Sequence, residues 1–191
     1  MKPASNTDTS RVEGNAPPEV KHSLLGFLVQ SSRVSRSIAK PFRGFEAEFG
    51  SRLQLTEASV LLKAEEPGKS EGRVVVEVVV DEDMLNGGGS VHGGCIAMMI
   101  DICSTMPIYV LGASTSGYGV FGVSQSLNIV YHSPGLLGDK LRLVSTTLAV
   151  GSRALSSRCE VWNVTRHRLV ASAVHIKMVP SEPKASESAK L

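Results

Sequence analysis

Cysteine is scarce in this chain. Cys95, Cys103 and Cys159 are an odd count with no C-x-x-C spacing, so neither a disulfide framework nor a zinc site is indicated, and a reducing compartment fits. An excess of charge of one sign is lacking too. Twenty basic and 18 acidic residues leave +2, spread along the chain, which gives no reason to expect a nucleic-acid partner. No G-x-S-x-G elbow exists for a hydrolase serine, and His22, His92, His132, His167 and His175 have no metal-ligand spacing, so no metal is expected. The first 20 residues have no apolar core for a secretory signal, and Asp8, Glu13 and Glu19 argue against a transit peptide. A cytosolic location is expected, with a mitochondrial one as the alternative. Gly117-Tyr-Gly119-Val-Phe-Gly122 has the G-x-G-x-x-G form but opens a strand rather than a helix, so it lacks the physics of a phosphate-binding turn.

What is present fits one soluble domain with extensions, at 42% hydrophobic and 20% charged residues. Residues 1–20 and 181–191 are rich in Ser, Pro and charge and are expected as solvated, disordered tails. Leu24, Leu25, Leu28, Val29 and Val34 have helical spacing, which predicts an amphipathic helix from Lys21 to about Ile38 within a helical extension over 21–44, packed on the core as a lid. ASVLLKAE and GRVVVEVVV flank the turn Glu65–Gly72 as an antiparallel pair. From Phe121 to Tyr131, Phe121, Val123, Leu127, Ile129 and Tyr131 share one parity and Ser124, Ser126 and Asn128 the other. Further strands are expected over 140–150, 154–164 and 169–179, making about six, with one long helix after the second.

That helix begins in NGGGSVHGGCIAMMIDICSTM, Asn86 to Met106, where a glycine-dense polar run turns directly into an apolar run holding one acid, Asp101. From Gly93 to about Leu111 it is apolar nearly all round, which predicts cover on most sides; one sheet wrapped around one central helix would supply it. A membrane span is the rival by length, but Asp101 in mid-run, the Gly93-Gly94 start and Pro107 count against it, and no span is expected. Pro107 should kink or end the helix, because it has no N–H to give and crowds the carbonyl of Cys103.

Gly93 and Gly94 place free amides and the positive end of the helix dipole where an oxygen can come close, which suits an oxyanion hole; tight helix–sheet packing would explain them equally. Asp101 divides in the same way. An unpaired carboxylate in an apolar helix costs on the order of several kcal/mol unless it is bonded or reaches water. It is either functional or a structural acid bonded to Ser104, Thr105 or a neighbouring strand. Gly93 and Asp101 lie eight positions apart, about 12 Å along one helix, so they cannot act on the same atom. If both serve one reaction, Gly93 comes from one subunit and Asp101 from another, with two helices side by side across a two-fold axis.

In combination, Asn86, then His92-Gly93-Gly94 six positions on, Asp101 nine beyond His92, and GVSQSLNIVYHSPGLLGD from Gly122 resemble the hotdog-fold acyl-CoA thioesterases of the phenylacetate-degradation type, over roughly Phe45 to Pro180. The resemblance implies an α+β hotdog domain over 45–180, assembled as a homodimer or as a tetramer of two dimers. It implies hydrolysis of an acyl-CoA to free acid and coenzyme A, with coenzyme A as part of the substrate and no cofactor. Asp101 would be general base or nucleophile, the Gly93 amide the donor to the thioester oxygen, His92 the shaper of the turn and Gly94 its neighbour at the substrate. Asn86 would position the carbonyl or water, and Ser124 would bond near the acid. Coenzyme A phosphates call for a basic mouth, for which Arg153, Arg166, His167, Arg168 and Lys177 are candidates. The chain departs from the family pattern in the longer GASTSGYGVF segment before Ser124, in Pro107 and in the residues before Phe45. The alternative is a non-catalytic acyl-CoA-binding or scaffold protein. A hotdog hydratase is a weaker third option, since no D-x-N-P-x-H arrangement exists.

Overall fold

The structure is a computed structural model that describes residues 8–31 and 49–179. Its six strands are β1 (Gln54–Leu62), β2 (Ser70–Val79), β3 (Val123–Tyr131), β4 (Lys140–Val150), β5 (Ala154–Asn163) and β6 (Arg168–Met178). They form one sheet in the order β1-β2-β4-β5-β6-β3, with every neighbouring pair antiparallel. Two helices accompany it, α1 (Pro18–Ser31) and α2 (Gly93–Ser116). This is the six-stranded sheet and long central helix of a hotdog fold, as the residue patterns and the resemblance predicted.

The sheet curves around α2 because α2 is apolar on nearly every side. Met99, Ile100, Cys103, Met106 and Val110 are fully buried, and the helix packs against β2, β4 and β5. By length and a mean hydropathy of 1.7 it could cross a membrane, but 61% of that window is buried inside the fold, as befits a core helix. Pro107 neither ends it nor is exposed: the helix continues to Ser116 and stops at Gly117, whose φ of 72° is left-handed. A proline inside a helix costs about 3 kcal/mol, whereas each buried Ile or Met contributes about 1.5–3 kcal/mol, so packing outweighs the break.

The amino-terminal segment differs from the expected tail. Residues 12–16 run beside β1 like a short added strand: Glu13 N–H donates to Thr56 O (2.8 Å), Ala58 N–H to Glu13 O (3.0 Å) and Ala16 N–H to Ala58 O (3.1 Å). The Asn15 carboxamide completes the ladder on Val60, accepting from its N–H at 2.7 Å and donating to its carbonyl at 2.9 Å. Gly14 adopts φ 91° with a Cβ site only 2.3 Å from Ala58 O, so no side chain fits. Val12, Ala16 and Val20 are buried, and a segment whose backbone and apolar groups are both satisfied is ordered despite its polar composition. α1 therefore starts at Pro18 rather than Lys21. Leu24 and Leu28 are fully buried, so the helix is part of the core, and Phe27 stacks on Phe121 (4.5 Å), which in turn stacks on Tyr109 of α2 (4.6 Å). The remainder of the expected extension, residues 32–44, and the tail 181–191 lie outside the described residues.

Candidate active site

Asp101 sits two turns into α2, and its side chain is half exposed (51%) in the single chain. The cost of an unpaired buried carboxylate is thus avoided by access to water and by one bond from a strand. Ser124 Oγ donates to Asp101 Oδ1 at 3.1 Å. Ser104 and Thr105 do not touch the carboxylate; Thr105 Oγ1 donates to the backbone carbonyl of Asp101 at 2.8 Å, and Ser104 Oγ approaches it at 3.5 Å.

Ser124 reaches the acid through a break in the alternation. Pairing of β3 with β6 shifts between Ser124 and Ser126, leaving Gln125 as a bulge residue. Before the bulge Ser124 is opposite Lys177; after it Ser126 is opposite Ile176 and Leu127 opposite His175. Ser124 therefore faces the helix together with Leu127, Ile129 and Tyr131, not outward with Ser126 and Asn128 as unbroken parity predicted.

Two residues of β6 complete the cluster, and one was missed. His175 is fully buried, its Nε2 2.9 Å from Ser124 Oγ and 3.4 Å from Asp101 Oδ1, its Nδ1 2.7 Å from Ser104 Oγ. Burial and then the charge of Lys177 hold its pKa below the ordinary histidine value, against the opposing pull of Asp101, so a neutral ring is favoured. Lys177 is 5% exposed, and its ammonium donates to Thr105 Oγ1 (2.9 Å) and Ser124 Oγ (3.3 Å). Its expected role at coenzyme A phosphates does not fit this position, since the ammonium points into the fold beneath the acid. The signal for both residues lay in the inverted pattern of β6, where Val174 and Ile176 are 42% and 43% exposed and His175 and Lys177 face inward.

At the other end of the exposed side of α2, His92 caps the helix, and its Nδ1 accepts from Gly94 N–H at 2.9 Å. Gly94 thus spends its amide on the cap while the residue itself is exposed. Gly93 N–H has no acceptor among the described residues, while its carbonyl accepts from Tyr131 Oη at 3.0 Å. The Asn86 carboxamide is engaged within its own turn, accepting from Gly88 N–H (2.9 Å) and donating to Ser90 Oγ (3.2 Å), and it shapes the loop ahead of the cap. Within one chain the free Gly93 amide and Asp101 remain eight positions apart, about 12 Å of helix rise.

The expected basic mouth is not one cluster in the single chain. Arg153 lies in the β4–β5 turn, whereas Arg166, His167 and Arg168 lie at the β5–β6 turn, and the ten residues of β5 put about 33 Å between the two ends. Arg166 is committed to Asp139, with Nε 2.9 Å from Oδ2, and His167 holds the turn at φ 52°. Arg153, His167 and Arg168 are exposed. Among the described residues no group of three or more His, Cys, Asp or Glu could hold a metal ion.

Comparison with known proteins places the fold in a family. A family model for the thioesterase superfamily matches residues 88–170, which span the cap, α2, β3, β4 and β5. Acyl-coenzyme A thioesterase 13 of Homo sapiens is 31% identical over 106 residues, covering 56% of this chain and 72% of the relative. The chain belongs to the thioesterase superfamily. As a superfamily member it is a thioester hydrolase by class, and its fold has solved counterparts. Zebra fish thioesterase superfamily member 2 superposes with a TM-score of 0.62 at 25% identity, over 84% of this chain and 98% of that one. A hypothetical thioesterase from Streptococcus pneumoniae, solved with coenzyme A, superposes at 0.51 and 25% identity, over 59% and 81%. The residues ahead of the matched region include the amino-terminal segment, α1, β1 and β2.

Proposed function

We propose that this thioesterase hydrolyses acyl-CoA to a free acid and coenzyme A in sites formed between two copies of the chain. Asp101 of one subunit supplies the carboxylate, and the Gly93 amide of the other supplies the donor to the thioester oxygen. The observation that carries the reading is the pairing of a half-exposed carboxylate, steered through one oxygen by Ser124, with a free amide at a helix start. These are the two groups that acyl transfer to water needs, and a single chain keeps them too far apart to use on one carbonyl. The acyl-CoA substrate class is supported by the relative named above and by the coenzyme A bound in the pneumococcal neighbour.

Asp101 uses its second oxygen, Oδ2, either to take a proton from water or to attack the thioester carbonyl. Labelled water in a single turnover identifies the second route when water attacks the Asp101 carbonyl of the mixed anhydride, because the label then enters Asp101 and the acid leaves with an unlabelled oxygen. As the primary test, free thiol is measured with short, long and aromatic acyl-CoA compounds for the wild type and for Asp101→Asn. Hydrolysis by the wild type and its loss by about 10²–10⁴-fold in the folded variant are expected. Saturable binding without thiol release by the wild type would replace hydrolysis with a binding or scaffold role.

A further inference from the structure

We infer that Lys177 is a positioning residue of this site: its buried ammonium fixes the direction in which Ser124 donates, so that the Ser124 hydroxyl proton stays pointed at the Asp101 carboxylate. The inference rests on Asp101 being the acid of the hydrolase, and it follows from counting protons around one oxygen.

Ser124 Oγ has three polar neighbours, Asp101 Oδ1 at 3.1 Å, His175 Nε2 at 2.9 Å and Lys177 Nζ at 3.3 Å, but only one proton. An ammonium can only donate and a carboxylate can only accept. The hydroxyl dipole therefore lies between a cation on one side and an anion on the other, with its proton toward Asp101. His175 must then be the second donor to Ser124, through Nε2–H, which leaves Nδ1 to accept from Ser104 Oγ at 2.7 Å. Ser104 O in turn accepts from Ser157 Oγ at 2.6 Å, and the second Lys177 bond goes to Thr105, whose own proton is on the Asp101 carbonyl. Every hydroxyl and ring proton in this network has a place.

A lysine without a paired carboxylate is costly to bury and needs a reason. No carboxylate pairs directly with Lys177 among the described residues, and Leu155, its neighbour on β5, brings no charge. Lys177 and Asp101 act on His175 and Asp101 acts on Lys177; β3 sets Ser124 and Leu127 opposite them. Lysine and histidine here stabilise the arrangement of an acid rather than any contact with solvent. The cation also disfavours a charged His175, which would otherwise bond the carboxylate itself and draw it from Ser124.

The test uses full-length Lys177→Met, Lys177→Gln and Lys177→Arg, assayed by thiol release on the acyl-CoA that the wild type hydrolyses fastest. Lys177→Met is expected to lower kcat about 10- to 100-fold, with KM changed less than about twofold, and to move the acid limb of kcat to higher pH as His175 gains a proton more readily. Lys177→Gln keeps a donor without the charge and should recover part of kcat but not the pH profile, whereas Lys177→Arg should recover part of both. A folded Lys177→Met with wild-type kcat and pH profile overturns the inference, as does a variant changed only in KM, which would make Lys177 a substrate contact.

If Lys177→Met does not fold, ring-nitrogen NMR of the wild-type histidines decides. A neutral His175 bearing its proton on Nε2 from pH 6 to 8 supports the network, and an Nδ1–H ring or an imidazolium in that range overturns it. Activity surviving in Asp101→Asn would remove the acid itself. Activity lost there but intact in the Lys177 variants would remove only the role of Lys177.

Discussion

The site between subunits makes a quantitative prediction from two inactive proteins. Gly93→Pro deletes the free amide and little else. Gly93 is the first residue of α2, the helical position where proline is favoured, and the residue before it, His92, already has φ −61° and ψ 134°, as a residue preceding proline requires. A Cβ at position 93 meets the Tyr131 ring at 3.6 Å, an ordinary contact. Loss of one oxyanion donor lowers kcat about 10²–10³-fold, equivalent to about 2.7–4 kcal/mol. Asp101→Asn inactivates through the other group. A heterodimer of the two variants has one site with both defects and one with neither, so a purified, dually tagged heterodimer should show about half of wild-type activity, and a random equal mixture about a quarter. The assay is thiol release with heterodimer content measured by native mass spectrometry. If Gly93 and Asp101 acted within one chain, every site in the heterodimer would have one defect, and the mixture would stay at the level of its parents. That outcome would refute the placement of the site between subunits.

Ser124→Ala removes a hydrogen bond to a charged acceptor worth about 1.5–3 kcal/mol, so kcat should fall about 10- to 150-fold while the protein keeps its fold by circular dichroism. Leu24→Ala, at a fully buried position of α1, should destabilise by about 2–5 kcal/mol, read as a fall in Tm; an unchanged Tm would show that α1 is not part of the core. Asp139 is 2% exposed. Burial pulls its pKa up, but bonds from Leu136 N–H, Asn163 and Arg166 outweigh this and hold it below the ordinary value. Because the folded pKa is depressed, the stabilisation is complete above the unfolded value near 3.9 and is lost as pH falls from there through the lower folded value. Asp139→Asn should therefore destabilise at pH 7 and lose that difference below about pH 4, as followed by urea denaturation.

The fold was legible where one rule was enough. Val-rich β2, the parity of β3 from Leu127 to Tyr131 and the all-round apolar α2 each follow from local period and burial, and together they call for a sheet around a helix. His92, Gly93 and Asp101 were legible because a helix start and a lone acid are local features. Ser124 was assigned beside the acid by resemblance, but its orientation was not readable, because the bulge at Gln125 exists only in the register between β3 and β6. His175 and Lys177 were hidden for a related reason. On a strand, polar side chains are assumed to face out, and here two of them face in because a hydroxyl and a carboxylate from other elements are waiting there. The strap over 12–16 was unreadable as well, since its hydrogen bonds belong to β1 and its polar composition matches that of a free tail. The composition of a segment reports what it could do alone, and these residues are ordered by partners 40 or more positions away.

The strap also settles how the sheet can grow. An open sheet has two rims, each a row of unspent amides and carbonyls able to recruit another chain. Here residues 12–16 already occupy the β1 rim over Thr56–Val60, so among the described residues β3 is left as the open docking rim. A body with one such rim can add a single copy in a two-fold arrangement and is then closed, whereas a body with two would polymerise without limit. Residues 12–16 thus act as a stop on one side of the molecule, and deleting them should be answered by filaments as much as by unfolding.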